Sequence, residues 1–182
     1  SKDLCLIQEI PEIVQMGVDS LKIEGRLKTE YYLASVVNTY RNALDDYLKY
    51  PERYNAEKYI KELEKTKTRG LTTFYFNDRN NKDFQEYEGK QYNADYEFAA
   101  KVVETRKAGK TVVEIKNKLK VGDILEIIIP RCLETENFTI EKLWDIETQE
   151  EIEQINPGKA EQKVEMQLPI VVEPGWIIRR KK

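Results

Sequence analysis

The sequence predicts an α+β protein in two parts: the last helix-strand-helix units of a (β/α) barrel, followed by a small antiparallel β-barrel. Apolar residues recur at helical spacing up to about residue 65, whereas short apolar runs separated by turn residues begin at residue 96. The stretch between them is aromatic, polar and irregular, which is typical of a connection. We therefore divide the chain near residue 80, into residues 1–80 and 81–182.

The first two predicted elements are a helix and a strand. Residues 5–16 are predicted to be helical because apolar side chains recur every three or four positions: Leu6, Ile10, Ile13 and Val14. Gly17 then suits the position after a helix. Residues 18–25, VDSLKIEG, alternate apolar and charged side chains and end at a glycine, which predicts a strand.

Two more helices are predicted next. Thr29 is the predicted N-cap of the first, which ends before Pro51, and Asn55 is that of the second, which ends near Gly70. The buried stripe of the first is predicted from the spacing of its apolar residues, which are Leu33, Val36, Val37, Tyr40, Ala43, Leu44 and Tyr47.

A single strand among three helices cannot satisfy its own backbone hydrogen bonds. In an alternating α/β fold such a strand has neighbours on both edges, so we expect the first part to be the end of a larger barrel and the chain to be a piece of a longer protein. Exposed strand edges and apolar helix faces would then favour self-association.

The second part is predicted to contain five or six strands and no helix. Residues 108–110, Ala-Gly-Lys, suit a tight hairpin, residues 121–123, Val-Gly-Asp, lead into an apolar run, and Pro130 ends that run. Such spacing favours a closed antiparallel barrel, with Trp144 and Trp176 in its core or rim. The basic tail, residues 179–182, is predicted to be a frayed, solvated terminus.

Composition excludes several kinds of site. The 182 residues contain no histidine, which rules out Ser-His-Asp and Cys-His catalytic machinery within them, and Cys5 and Cys132 lack metal-ligand spacing. We expect two thiols and no metal site.

Charge and hydropathy limit the partners of the chain. Because the net charge is −3, any contact with nucleic acid must come from a local patch of basic residues. With no long apolar run and no signal peptide, we expect a cytoplasmic protein with no membrane partner.

Charged residues surround the end of the predicted strand. If Leu21 and Ile23 face the helices, Lys22 and Glu24 face the barrel interior, and Arg26 follows the carboxyl end, where such barrels build their active sites. Charge inside a barrel is costly unless it is paired or used. Two interpretations remain open: contacts to a substrate, or an ion-pair set that stabilises the barrel mouth.

Two stretches resemble a known family. SKDLCLIQEIPEIVQMGVDSLKIEGRLKTEYYLASVVNTYRNALD resembles, over residues 1–46, the segment shared by the collagenase-like peptidases of family U32. The later KNKLKVGDILEIIIP, NFTIEKLWD, the turn at Pro157-Gly158 and the final IIRR are similar to the C-terminal domain of the tRNA-hydroxylation branch of that family.

The resemblance implies a TIM-like barrel followed by a small β-barrel similar to the second domain of translation elongation factors. It implies a role in hydroxylating uridine in tRNA, with tRNA and a prephenate-like metabolite as partners. It also implies an iron–sulfur cluster whose cysteines lie upstream of SKDL, so that no cofactor is expected in these residues. Many members carry protease names, and a genuine peptidase is therefore an alternative.

The resemblance further assigns Lys22, Glu24, Gly25, Arg26 and Lys28 to contacts with a substrate or an anionic ligand. Arg26 suits a bidentate grip on a carboxylate or phosphate, and Gly25 would let the backbone turn at the strand end. Catalytic residues are not predicted, and the chain alone is expected to be inactive.

A third interpretation makes the β-barrel an RNA or protein interaction module. Aromatic residues near the connection could stack on bases or pack between domains. They are Phe74, Tyr75, Phe76, Phe84, Tyr87, Tyr92 and Tyr96.

Overall fold

The computed structural model describes residues 2–77, 95–106, 109–158 and 161–182. The chain forms two compact units, Ser1–Asp95 and Tyr96–Lys182. The predicted boundary near residue 80 lies outside the described residues. Within these ranges, no helix is long and apolar enough to cross a membrane.

The first unit is mainly helical. Its elements are β1 (Asp3–Leu4), α1 (Ile10–Gln15), α2 (Glu30–Lys49), a turn of 3₁₀ helix (Pro51–Arg53), α3 (Ala56–Glu64) and β2 (Leu71–Thr72). Both predicted helix caps are confirmed: Thr29 Oγ1 accepts from Tyr32 N at 3.2 Å, and Asn55 Oδ1 accepts from Glu57 N at 2.9 Å.

The buried stripe of α2 differs in part from the prediction. Val36, Ala43 and Tyr47 are buried as predicted, but Val37 is half exposed. Apolar spacing selects a broad face of a helix, and the neighbouring elements decide which part of that face is covered. Small polar residues, Ser35 and Thr39, are buried on this face instead.

Three predictions for the first unit are wrong. The helix α3 ends at Glu64, before the predicted end near Gly70. The helix over residues 5–16 begins only at Ile10, because Cys5 still belongs to strand pairing: its N–H donates to Thr72 O at 2.8 Å. The strand over residues 18–25 does not form. β1 and β2 pair directly and in parallel, with Asp3 opposite Leu71, so the intervening segment has no strand beside it. Consecutive strands of a (β/α) barrel are neighbours, so a strand at residues 18–25 would lie between β1 and β2. Because β1 and β2 pair directly, the predicted barrel end is not confirmed.

The second unit is a curled antiparallel sheet. Its strands are β3 (Tyr96–Thr105), β4 (Lys110–Ile115), β5 (Leu119–Lys120), β6 (Ile124–Ile128), β7 (Thr135–Thr139), β8 (Leu143–Asp145), β9 (Glu151–Ile152), β10 (Gln154–Ile155), β11 (Lys163–Gln167) and β12 (Ile177–Lys181). Eight strands form one sheet in the order β7-β6-β12-β3-β4-β11-β8-β9, and β5 pairs separately with β10.

One apolar core fills the concave side of this sheet. Side chains from most of the strands meet there, among them Ala100, Val113, Leu125, Leu143, Met166 and Ile178. Within the described residues β7 and β9 each pair on one side only, so hydrogen bonds do not close the sheet into the predicted barrel. The antiparallel strands are confirmed. Trp176 packs against this core as predicted, whereas Trp144 is buried outside it, opposite Glu165 in the sheet.

Two glycines act at the predicted turns. Gly109 and Gly122 have φ angles of +74° and +94°, a region that glycine enters without steric cost. Residue 108 of the predicted hairpin lies outside the described residues, but β3 and β4 pair as the hairpin requires.

The prediction for the basic tail is wrong. β12 lies between β6 and β3, and Arg179 is fully buried, with Nε 2.8 Å from Glu126 Oε2. Arg180 pairs with Glu97 and Asp123. Burial alone would lower the pKa of Arg180, but these two carboxylates raise it. The residues that were predicted to be a solvated terminus are therefore held by carboxylate partners and by strand pairing on both sides.

Candidate functional site

The predicted site residues lie on the loop that joins α1 to α2. Gly17, with φ of +72°, ends α1, and Lys28 N donates to Gly25 O at 2.9 Å to close a turn before the Thr29 cap. The charged residues are therefore carried by a loop. Lys22 and Glu24 are exposed, and their direction toward a barrel interior stays a prediction.

Glu24 and Arg26 interact with each other. Glu24 Oε1 accepts from Arg26 N at 2.8 Å, and Glu24 Oε2 lies 4.0 Å from Arg26 Nη2. The Arg26 side chain is 83% exposed and that of Glu24 61%. The carboxylate fixes the backbone of the turn, while most of the guanidinium faces solvent.

Lys28 is held more firmly. Its Nζ lies 2.9 Å from Asp3 Oδ2 and 3.2 Å from Oδ1, and 4.6 Å from the centre of the Tyr32 ring. Burial, followed by the charges of Asp3 and Cys5, raises the pKa of Tyr32. Lys28 therefore ties the loop to β1. Sequence patterns do not identify Asp3 as the partner of Lys28, because 25 residues separate the two charges.

Gly25 is required for space. A Cβ atom at this position would lie 2.0 Å from Leu33 Cδ2 and 2.8 Å from Leu33 Cγ, closer than side-chain carbons approach each other. Its φ angle lies outside the left-handed region that would single out glycine by conformation. Glycine is therefore required here by a close approach to Leu33 and not by a positive φ angle, while the predicted substrate contact of Gly25 stays a prediction.

An open cavity of about 420 Å³ is formed by this turn. Its lining residues are Glu24, Gly25, Arg26, Leu27 and Lys28. The guanidinium of Arg26 offers N–H donors in the fork geometry that grips carboxylates and phosphates. An exposed guanidinium therefore lines this cavity.

The described residues do not offer ligands for an iron–sulfur cluster. They contain no group of three or more His, Cys, Asp or Glu side chains that could hold a metal, whereas such clusters usually need four thiolates. Cys5 Sγ instead accepts from Tyr40 Oη at 3.7 Å, and Tyr40 Oη accepts from Leu6 N at 2.9 Å. Neither Cys5 nor Cys132 forms a disulfide.

The described aromatic residues near the connection differ in their surroundings within their own units. Tyr75 and Phe76 are exposed, whereas the Tyr96 ring lies against the Arg179 guanidinium, 4.9 Å from centre to Cζ. The remaining members of the set in the connection, residues 84, 87 and 92, lie outside the described residues.

Comparison with known proteins decides the family. Residues 1–86 match peptidase family U32, and residues 94–179 match the C-terminal domain of peptidase family U32. The chain belongs to peptidase family U32. The loop of residues 22–28 lies within the first match, and β3 to β11 lie within the second.

Three relatives are similar over most of this chain. The tRNA hydroxylation protein P1 of Bacillus subtilis is 37% identical over 148 residues, which are 79% of this chain and 34% of that protein. The tRNA hydroxylation protein P of Escherichia coli is 35% identical over 144 residues, 79% and 31% of the two chains. An uncharacterized protease of Methanocaldococcus jannaschii is 39% identical over 131 residues, 70% and 32%. The chain spans about a third of the length of each.

Proposed function

We propose that the whole protein acts in tRNA uridine hydroxylation and that residues 22–28 bind an anionic group of its substrate. The observation that carries the first statement is the 37% identity with tRNA hydroxylation protein P1 over 79% of this chain. The second is supported by the exposed Arg26 guanidinium at an open cavity. The proposed partners are tRNA and a prephenate-like carboxylate, and the proposed location is the cytoplasm.

Each residue of the loop has a distinct proposed role. Arg26 grips a carboxylate or phosphate in two-point fashion. Glu24 fixes the backbone N–H of Arg26, and Lys28 positions the turn through Asp3. Lys22 is exposed and adds positive charge. Gly25 allows the turn to lie against Leu33.

The proposal includes the setting of this loop in the whole protein. Residues 18–25 would gain strand neighbours in a TIM-like barrel, which is consistent with their lack of strand pairing and with the exposed Leu21. The second unit would correspond to a barrel like the second domain of elongation factors. An iron–sulfur cluster, where the protein holds one, would use cysteines other than Cys5 and Cys132.

The test is made in cells that lack the gene for the full-length protein. Wild type, Arg26→Ala and Arg26→Lys are supplied on a plasmid, and hydroxylated uridine in tRNA is quantified by mass spectrometry. We expect Arg26→Ala to lose most of the modification and Arg26→Lys to retain a part, because an ammonium keeps the charge without the fork. Arg41→Ala, which removes an exposed helix pair with Asp45, is the matched control. Full modification with Arg26→Ala would contradict the proposed site.

A peptidase function is the second candidate. The observation that favours it is the similarity to the uncharacterized protease of M. jannaschii. Purified full-length protein would be incubated with gelatin and casein, and new peptide ends counted by mass spectrometry. Proteolysis that persists after repeated purification, together with unchanged tRNA in the deletion strain, would replace the first proposal with this one.

A further inference from the structure

Glu165 is a buried carboxylate on the outer face of the curled sheet. Its neighbours along β11, Val164 and Met166, both point into the core, so Glu165 points away from it. In the sheet it stands opposite Val112 of β4 and Trp144 of β8. Its side chain is nevertheless only 3% exposed, which is unusual for a charged group outside the core.

The hydrogen bonding of this carboxylate is incomplete. Glu165 Oε2 is buried and has no hydrogen-bond partner. The cations beside it are Arg106, with Nη1 3.7 Å from Oε1, and Lys110, with Nζ 3.8 Å from Oε2, both beyond hydrogen-bond distance. A buried acceptor without a donor destabilises a fold, and such groups in native proteins often have a functional reason.

The two cations also have unused capacity. Lys110 Nζ lies 4.3 Å from the centre of the Trp144 ring, and Arg106 Nε lies 3.4 Å from Glu104 Oε1. About a third of each cationic side chain is exposed, and a ligand would reach Glu165 only if both moved outward. The cluster therefore presents several N–H donors and one unfilled acceptor. A ligand that fits carries several acceptor oxygens and one donor close to them.

We propose that Glu165, Arg106 and Lys110 bind a phosphate that is flanked by a hydroxyl group, as in the ribose-phosphate backbone of RNA. Arg106 and Lys110 donate to the phosphate oxygens, and Glu165 Oε2 accepts from the hydroxyl. The 2′-hydroxyl is the group by which a protein distinguishes RNA from DNA at such a site. The inference concerns binding by the second unit and does not depend on the hydroxylation function.

The test is a titration of the 182-residue chain with three probes. They are a single-stranded RNA of about 12 nucleotides, DNA of the same base sequence, and ribose 5-phosphate, each at two salt concentrations. We expect RNA to bind about tenfold more tightly than DNA, the size of effect that one hydrogen bond to a charged group gives. Fluorescence of Trp144 in a Trp176→Phe background reports on the site directly.

The variants distinguish the cations that would bind the phosphate from the carboxylate that would bind the hydroxyl. Lys110→Ala should weaken RNA and DNA by the same factor, whereas Glu165→Gln should bring RNA affinity down to that of DNA. Lys118→Ala, at an exposed position outside the cluster, should change neither. Binding of ribose 5-phosphate that Glu165→Gln abolishes, without RNA preference, would support the same chemistry with a free sugar phosphate as the ligand.

Other outcomes overturn the proposal. Equal affinity for RNA and DNA without ribose 5-phosphate binding, or an effect of Lys118→Ala equal to that of Lys110→Ala, would remove it. Urea unfolding shows whether each variant folds. If Glu165→Gln does not fold, Arg106→Ala is tested in its place. Phosphate binding that is unchanged in both Arg106→Ala and Lys110→Ala would overturn the proposed site.

Discussion

At the scale of single residues, Gly25 and Leu33 make the closest approach in the candidate site. The loop can lie against α2 only because residue 25 has no side chain. This contact sets the position of the Arg26 backbone, and through it the guanidinium that the proposed function requires. A change at Gly25 should therefore affect both stability and site geometry.

We expect Gly25→Ala to lower the free energy of unfolding by about 1–3 kcal/mol, because the added Cβ overlaps Leu33. Urea unfolding of the 182-residue chain measures this. The double variant with Leu33→Ala should be no less stable than Leu33→Ala alone, since the overlap is then gone. Gly158→Ala, where a Cβ meets ordinary contact distances, is the control.

Arg26 and Lys28 should differ in their effect on stability. Lys28→Ala removes a partly buried ion pair and a contact with an aromatic ring, and we expect a loss of about 1 kcal/mol. Arg26→Ala should leave the melting temperature unchanged, because its side chain is exposed. Equal destabilisation by both variants would show that Arg26 is structural.

At the scale of elements, β12 is the strand whose charges matter most. Arg179→Ala would leave Glu126 in a mostly buried place without its guanidinium partner, and we expect a loss of about 3–5 kcal/mol. Thermal unfolding followed by circular dichroism at the strand minimum measures this loss. Lys182→Ala lies beyond the strand and is the control. A loss of stability smaller than that of an ordinary surface substitution would instead support the prediction of a solvated terminus.

The helices of the first unit should lose stability at alkaline pH. Burial raises the pKa of Tyr40 and Tyr54, and burial with the Asp46 hydrogen bond raises that of Tyr59. Above pH 10 the unfolded chain loses protons that the folded chain keeps, so the free energy of unfolding falls as pH rises. Urea titrations from pH 8 to about pH 11 should show this decline. Tyr40→Phe should reduce the decline, whereas Tyr75→Phe, at an exposed position, should preserve it.

The elements that could be predicted from sequence are those with local causes. The caps at Thr29 and Asn55 depend on neighbours two or three residues away, and both are present. The strand over residues 18–25 depends on partners elsewhere, and alternation alone could not supply them. Likewise, the pairing of β12 joins residues about 80 apart in the chain, so the charges at its end looked like a tail.

The candidate site was predictable only in part for the same reason. Resemblance to family members selected residues 22–28, but the Asp3 partner of Lys28 and the contact of Gly25 with Leu33 exist only in the folded unit. The burial of Glu165 was still harder to predict, since a charged residue between two apolar ones normally indicates a solvent-facing position. Burial of that position comes from the side chains around it.

At the scale of the whole molecule, the first unit exposes large apolar side chains. Leu27 is 95% exposed, Leu48 62%, Met16 60% and Leu4 56%. Surfaces of this kind are usually covered by a partner or by another copy of the chain. Self-association of the 182-residue chain is therefore proposed.

Light scattering across a range of concentrations should show a mass above 21.5 kDa that falls on dilution. Leu27→Ser should lower the association, because it removes the most exposed of these side chains. Val171→Ser is the matched control, since Val171 is 86% exposed but belongs to the second unit. A constant monomer mass would rule out self-association.

The central place of β12 also has a consequence for synthesis on the ribosome. β6 with β7 on one side, and β3, β4, β11, β8 and β9 on the other, are joined in the sheet only through this strand, among the described residues. A nascent chain that has emerged up to β11 therefore carries two unjoined groups of strands with exposed edges. The second unit can complete its sheet only after residue 181 has left the exit tunnel, so chaperones have most opportunity to bind in that interval.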